Sequence, residues 1–444
     1  MRSRRRNTIL AAAAVVAVAL VIGIVSVAGA GSSTTLPTVS AEELLAKMAQ
    51  ADGQAQSVSG RVSWKNGLFG NLEMPTGMAQ MPAQSPLLSS GSGRLWASEA
   101  GVRVESQGSG GDQVAAVSKA SRTAWTYDSA TNTARRYVMT GAAADAPLPS
   151  PSPTTLLTPA AIGTYLQRLA PFATVEVGGQ TTVAGREAYT LRMTPVAQDT
   201  ALGVVQAAID GETMMPLQIE VFARSGGDAV LRFGFDSISY EAVDAALFEF
   251  TAPDGAKVTT EEIDPSKMHD QAGAKAGHSA DGGQKPTEAE KAAREKLARR
   301  ALLTLDQAQG LVDYTLASAR EYDARPFRWA YVFGEGGPLT AAGDPLFKMA
   351  GVDQPSTMGP STVLLYGSGF GAITLAQTKT TPELSKELEQ LPALVETTTA
   401  GGSPVRSITT PLGGVSIWQQ DGTTLMAGGL VTKADLDAFI ATVR

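Results

Sequence analysis

Ser57-Val58-Ser59-Gly60-Arg61-Val62-Ser63-Trp64 is the stretch whose reading decides the fold. Val58, Gly60, Val62 and Trp64 alternate with Ser59, Arg61 and Ser63, so an extended chain puts the apolar residues on one side. That is a strand buried on one face. The alternation recurs at Leu95 to Ala97, at Val102 and Val104, at Trp125 and Tyr127, and at Val175 and Val177. It returns at Tyr189, Leu191 and Met193, at Leu217, Ile219 and Val221, at Leu231, Phe233 and Phe235, and at Phe248 and Phe250. Clusters such as Asp128-Ser129-Ala130-Thr131-Asn132 separate the runs and suit hairpin turns. One long antiparallel meander is expected, with Trp64, Trp96 and Trp125 in its core.

A helix precedes the meander. Ser40 with Glu43 forms a capping box, and Ala41, Leu44, Leu45 and Met48 give one apolar face. Two segments interrupt it. The first carries Leu68, Phe69, Leu72, Met74, Met78, Met81, Leu87 and Leu88 with weak periodicity. Flexible thioethers accept acyl chains of varied shape, and the same residues can simply fill a core under a long loop. The second is a Pro-rich loop, Pro147 to Pro153, followed by a helix capped by Thr158 with Pro159 at its first position. Its stripe of Ile162, Tyr165, Leu166 and Leu169 suits either packing onto the sheet or a lid. These twelve apolar side chains are the candidate hydrophobic-ligand residues.

Outward toward the N-terminus, Arg2, Arg4, Arg5 and Arg6 precede an uncharged run from Ile9 to Ala30. As a helix that run reaches roughly 33 Å, enough to cross a hydrocarbon core. The expectation is a cytoplasmic basic tip (1–8), a single-pass N-in, C-out anchor (9–30) and a tether (31–39). Ala28-Gly29-Ala30 also has the form of a signal-peptidase site, so secretion after cleavage near Ala30 is the alternative.

Downstream, residues 259–286 read as a flexible linker and 287–302 as a charged helix opened by Thr287 and Glu290. Residues 303–444 read as a second, smaller α+β domain. Its strands include Thr362 to Tyr366, Ala372 to Ala376, Val415 to Trp418 and Thr424 to Gly428. A last helix is capped by Thr432 and Asp435, with the stripe Leu436, Phe439, Ile440 and Val443. Gly367-x-Gly369-x-Gly371 lies between two strand-like runs, which makes it a hairpin rather than a phosphate loop.

Composition bounds the chemistry. The 444 residues include no Cys, so packing alone holds the fold. A net charge of −7 argues against nucleic acid. The two His residues, His269 and His278, share one low-complexity stretch, which speaks against His-based triads, His general bases and zinc. No nucleophile–base–orienter set can be assembled, so the expectation is a non-enzyme with no catalytic, cofactor or metal residues.

Val183-Ala184-Gly185-Arg186-Glu187-Ala188-Tyr189-Thr190-Leu191 resembles the strand–turn–strand signature of bacterial lipoprotein-carrier-like periplasmic proteins, the LolA, LolB and RseB type. Ile209-Asp210 with Met215-Pro216-Leu217-Gln218-Ile219-Glu220-Val221 is similar to that family's aspartate–turn–Pro-Leu–strand element. Phe248 to Val258 resembles its closing strand and Pro-x-Gly turn, and Ser59-Gly60-Arg61-Val62 and Trp125-Thr126-Tyr127-Asp128 stand where it has its first and central strands. The resemblance covers about residues 40–258. It implies an α+β fold, a half-open antiparallel β-barrel with a helical lid over an apolar cavity. The region after Leu303 more weakly resembles a small envelope domain of unknown function, through Trp418 and Val431 to Val443. What the resemblance implies is binding of a lipid or lipoprotein acyl chain. The alternative is an envelope-stress regulator that grips an anti-sigma factor or another envelope membrane protein.

Overall fold

Alternation puts Val58, Val62 and Trp64 under cover, at 0%, 2% and 7% exposure, on strand β1 (Ser57–Asn66). The structure is a computed structural model that describes residues 36–51, 57–68, 90–108, 111–140, 169–263, 302–319, 322–333, 361–389, 396–400 and 403–444. These residues form two compact units. Among the described residues the first runs to Val196 and resumes at Gly203, and the second holds Ala197–Leu202 and the chain from residue 302 to Arg444.

In the first unit β1 continues into β2 (Gly91–Ser98), β3 (Gly101–Gly108), β4 (Gly111–Ser118), β5 (Thr123–Asp128) and β6 (Thr133–Met139). A second run comprises β7 (Ala173–Val183), β8 (Arg186–Pro195), β9 (Leu202–Asp210), β10 (Pro216–Ala223) and β11 (Leu231–Ser239), and β12 (Lys257–Ile263) follows. The sheet order is β12-β6-β5-β4-β3-β2-β1-β11-β10-β9-β8-β7, so the two meanders join where β11 pairs with β1. Both ends of that order are edges, and no closed barrel forms among the described residues. Helix α1 (Ala41–Ala51) starts as read, with the Glu43 N–H donating to Ser40 Oγ at 3.1 Å. Its Leu44 packs with Tyr189 and Ile209.

Several expectations need correction. β12 pairs with β6 in parallel, because the chain crosses from β11 to the far edge, so the meander is not wholly antiparallel. β12 also carries residues 259–263, which the sequence places in a linker. Phe248 and Phe250 are not a strand. Ala245–Phe248 is a 3-10 turn capped by Asp244, and Phe250 stacks against Trp125 and Tyr127 at 5.5 and 5.9 Å. Trp96 and Trp125 are only half-buried, since they share the face opposite Val58. Leu36 and Pro37, which the sequence places in a tether, are bonded to the sheet. The Gln180 amide exchanges two hydrogen bonds with the Leu36 backbone, and Tyr189 Oη donates to the Pro37 carbonyl at 3.0 Å.

The single-pass location is also corrected: no helix among the described residues is long and apolar enough to cross a membrane. Residues 9–30, on which that reading rested, lie outside the described residues, as do the lid segment before Leu169, most of 259–286 and the charged helix up to Ala301.

In the second unit a seven-stranded antiparallel sheet has the order β13-β14-β15-β19-β18-β17-β16. Its strands are β13 (Phe327–Phe333), β14 (Ser361–Tyr366), β15 (Ile373–Lys379), β16 (Glu396–Ala400), β17 (Ser403–Thr410), β18 (Gly413–Gln420) and β19 (Thr423–Gly429). Helices α2 (Leu305–Gln309), α3 (Pro382–Glu389) and α4 (Lys433–Thr442) accompany it. The glycine triplet lies in the β14–β15 hairpin, as read. Thr432 caps α4, whose Leu436, Phe439 and Ile440 join Trp418 and Tyr366 in one core.

Tyr314 is 8% exposed, and its hydroxyl donates to the Gln377 carbonyl at 2.9 Å. Burial, helped by the charge of Asp313, pushes this phenol up to about 12 from its ordinary value of 10.0. A folded-state value above the unfolded one means the neutral phenol favours the fold. That contribution is complete below pH 10 and is lost as pH rises toward 12. Urea unfolding across this window should show the wild type losing stability faster than Tyr314→Phe. Equal slopes would mean that Tyr314 ionises freely in the folded state.

A candidate binding face and a buried carboxylate network

The strand registers assemble one apolar face from residues distant in sequence. Val58 lies opposite Ala97, Ala97 opposite Val102, Val102 opposite Val117, and Val117 opposite Ala124. A parallel row places Gly60, Leu95, Val104 and Ala115 side by side. On the other side of β1, Trp64 faces Phe233, which faces Ile219. Cross-strand pairs of this kind stabilise a sheet and leave its upper surface apolar.

Two glycines shape this surface. A Cβ at Gly91 would meet the Trp64 ring at 2.6 Å, and one at Gly60 would meet the Phe235 ring at 2.8 Å. The rings therefore lie close over strands that have no side chain beneath them. Val58, Val62, Trp64, Leu95, Ala97, Met215 and Phe235 form the buried cluster, with Val102, Val104 and Phe233 partly covered beside it. Ile219 remains 38% exposed. Trp64 Nε1 is buried with no hydrogen-bond partner among the described residues, an orphan donor among hydrocarbon side chains. Such a group normally costs about 1–3 kcal/mol unless something accepts its proton.

Beside this face stands a polar cluster built on the motif residues. Ala184 and Gly185 at φ +52° and +76° make the β7–β8 turn, and Arg186 follows. Arg186 donates through Nε and Nη2 to Asp210, which is 1% exposed, and through Nη2 to Glu212 at 2.7 Å. Thr213 Oγ1 and Tyr240 Oη donate to Asp210 Oδ2 at 2.9 and 2.8 Å, and the Glu212 N–H donates to Oδ1 at 3.1 Å. Burial raises the Tyr240 phenol far above its ordinary range, and the neighbouring Asp210 charge adds to the rise. Burial works against the charged Arg186, but its bonds to Asp210 and Glu212 outweigh that and raise its pKa. With both oxygens of Asp210 multiply bonded, the cluster fixes two turns and offers no free base.

The opposite face of β1, β2 and β11 carries a shallow concavity of about 380 Å3, lined among others by Ser59, Arg61, Arg94, Trp96, Ser237 and Ser239. Sequence reading missed both clusters. Each depends on which strand lies beside which, and only the turn-type residues near Arg186 and Asp210 gave any hint. Of the candidate ligand residues, Leu68 and Leu169 are described, both half-buried. The Leu68 N–H donates to Asn66 Oδ1 and the Leu169 carbonyl accepts from Phe172. Phe69, Leu72, Met74, Met78, Met81, Leu87, Leu88, Ile162, Tyr165 and Leu166 lie outside the described residues. Among the described residues no group of three or more His, Cys, Asp or Glu is placed to hold a metal ion.

No family model matches the chain, and no curated protein does. Solved structures do. A chain of the Pseudomonas aeruginosa MucA/MucB complex is 14% identical with a TM-score of 0.37, covering 91% of this chain and 98% of that one. A LolA superfamily protein from Nitrosomonas europaea is 11% identical with a TM-score of 0.20, covering 48% of this chain and 99% of that one. An uncharacterized conserved protein from Thermus thermophilus is 12% identical with a TM-score of 0.29, covering 50% and 99%. The structural neighbours thus include the lipoprotein-carrier-like group that the motifs resemble.

Proposed function

We propose that the first unit is a non-catalytic binding module that holds the acyl chain of a lipid or lipoprotein on its apolar face. The observation that carries this reading is Trp64: an indole N–H without a partner among the described residues, in a buried cluster otherwise made of Val, Leu, Ala, Met and Phe that borders the exposed Ile219. An acyl chain matches that surface, and its ester or carboxyl oxygen would accept the orphan proton. Each buried methylene contributes about 0.8 kcal/mol, enough for micromolar binding with no other polar contact. The saturated Asp210 cluster suits a scaffold for such a face better than a proton-transfer site.

The test is titration of the full chain with a fluorescent fatty acid, alongside mass spectrometry of lipids carried through purification. Ile219→Asp places a charge on the exposed border of the face and should weaken uptake about tenfold or more. Trp64→Phe should weaken the fatty acid more than an alkane-tailed probe that has no acceptor. No uptake by the wild type, with no lipid carried through, would sink the reading.

A second reading is regulation through a protein partner, with lipid as the modulating signal. Its support in this chain is the second compact unit with its own core, which a lipid-holding module does not need. MucB has been solved in complex with MucA, and the corresponding search here is for one stoichiometric partner recovered with the full chain.

A further inference from the structure

On the polar face of the first unit two exposed arginines lie side by side. Arg61 on β1 lies directly opposite Arg94 on β2, and both are exposed. Directly opposed residues have Cβ atoms about 4.5–5.5 Å apart, and like charges there repel. Neighbouring cations on this sheet are matched: Arg103 pairs with Glu105 at 2.8 Å, Lys65 with Asp228 at 3.4 Å, and Arg232 binds Gln218 and Glu220. Glu105 is the residue across from Arg94 on β3, and its Oε1 is turned to Arg103, which holds it through two nitrogens. Asp236, beside Ser237, accepts from Ser63 Oγ at 2.8 Å. Neither guanidinium has a side-chain partner among the described residues.

These two cations border the concavity of about 380 Å3, together with the half-buried Trp96 and the hydroxyls of Ser59, Ser237 and Ser239. Ser237 and Ser239 already accept through Oγ, from the Arg61 and Glu241 N–H groups, so their O–H bonds remain to donate. One guanidinium fork uses both oxygens of a carboxylate. Two forks facing each other need an anion with three or more oxygens. We propose that Arg61, Arg94 and the surrounding serines form a phosphate-binding site on the face opposite the acyl surface. The bound group relieves the Arg61–Arg94 repulsion, which makes binding and sheet stability two readings of one interaction.

The experiment uses the full chain. Inorganic phosphate is titrated calorimetrically, and the melting temperature is followed with and without it. Co-sedimentation with vesicles of phosphatidylcholine alone, or with phosphatidylglycerol added, separates the sources of the group. Phosphate should bind and raise the wild-type melting temperature. Arg61→Gln and Arg94→Gln should each weaken it about tenfold. The double variant should lose the phosphate response while melting no lower than wild type in phosphate-free buffer, because it removes a repulsion. Arg61→Lys with Arg94→Lys keeps the charge but not the forks and should bind more weakly than wild type. Sedimentation that needs phosphatidylglycerol and is lost in the double variant assigns the group to a lipid headgroup; phosphate binding without it assigns a free phosphate or phosphorylated solute. The site is refuted if the double glutamine variant responds to phosphate as the wild type does, or if the wild type binds neither probe.

Discussion

Asp210→Ala should cost the first unit about 3–5 kcal/mol, because it removes one member of a buried ion pair and leaves the rest behind. Asp210 is 1% exposed and takes bonds from Arg186, Thr213, Tyr240 and the Glu212 backbone. Without it Arg186 retains Glu212, but the two hydroxyls and the turn N–H lose their common acceptor. Tyr240 keeps Thr213 at 3.0 Å, so its loss is partial. The tight turn Asp210 to Met215, closed by the Asp210 N–H on the Met215 carbonyl at 2.8 Å, loses its side-chain brace as well. Urea unfolding should show a lower midpoint with an unchanged slope, meaning less stability at the same exposed surface. A double-mutant cycle with Tyr240→Phe should give a coupling of about 0.5–3 kcal/mol. Replacing the pair together, Arg186→Met with Asp210→Leu, should cost much less than Asp210→Ala, since no charge is stranded. A loss below about 1 kcal/mol for Asp210→Ala would mean that water fills the acceptor role and the cluster is not closed.

That cluster also marks where the sequence stops being legible. Strands with one covered face were readable: β1, β8, β10 and β11 announce themselves by alternation, and α4 by its stripe and cap. β4 and β9 escaped. Gly-Asp-Gln-Val-Ala-Ala-Val-Ser and Leu-Gly-Val-Val-Gln-Ala-Ala-Ile-Asp have no period of two. The physical reason in β9 is cover on both sides, with Ala208 and Ile209 both buried and packed into different clusters. Phe248 and Phe250 carried a false strand pattern, since an apolar pair two residues apart fits a crossing segment equally well. The motif Val-Ala-Gly-Arg-Glu was noticed, but its purpose lay in Asp210 on another strand. Arg61 and Arg94 were visible only as the polar half of an alternation. Pairing makes them a feature, and pairing is a property of register, which a single sequence does not print.

Arg325→Ala should cost the second unit about 3–5 kcal/mol, for the same reason in a different setting. Arg325 is 2% exposed and sits in Asp323-Ala324-Arg325-Pro326-Phe327, a stretch with no periodicity to mark it. Its Nε donates to the Gly371 carbonyl and its Nη2 to the Asp199 carbonyl, both at 2.8 Å, while Nη1 reaches Tyr322 Oη at 3.0 Å. The carboxylates of Asp199 and Asp435 stand 3.0 and 3.7 Å from Nη2. One planar fork therefore serves two backbone carbonyls and two charges, and truncation strands all of them. The neighbourhood is shaped to it: a Cβ at Gly367 would meet the Arg325 stem at 3.3 Å, and one at Gly371 would meet Asp199 Oδ1 at 2.6 Å. Arg325→Lys keeps the charge, but a single ammonium does not span both carbonyls, so an intermediate loss is expected. Lys379→Ala supplies the contrast, because its pair with Asp313 is 56% and 61% exposed and screened by solvent. Hydrogen exchange of the β14 and β15 amides reads both variants on the same strands. Faster exchange in Arg325→Ala, and little change in Lys379→Ala, is the expected pair of results. Equal effects would show that burial of the guanidinium adds nothing to the stability of this sheet.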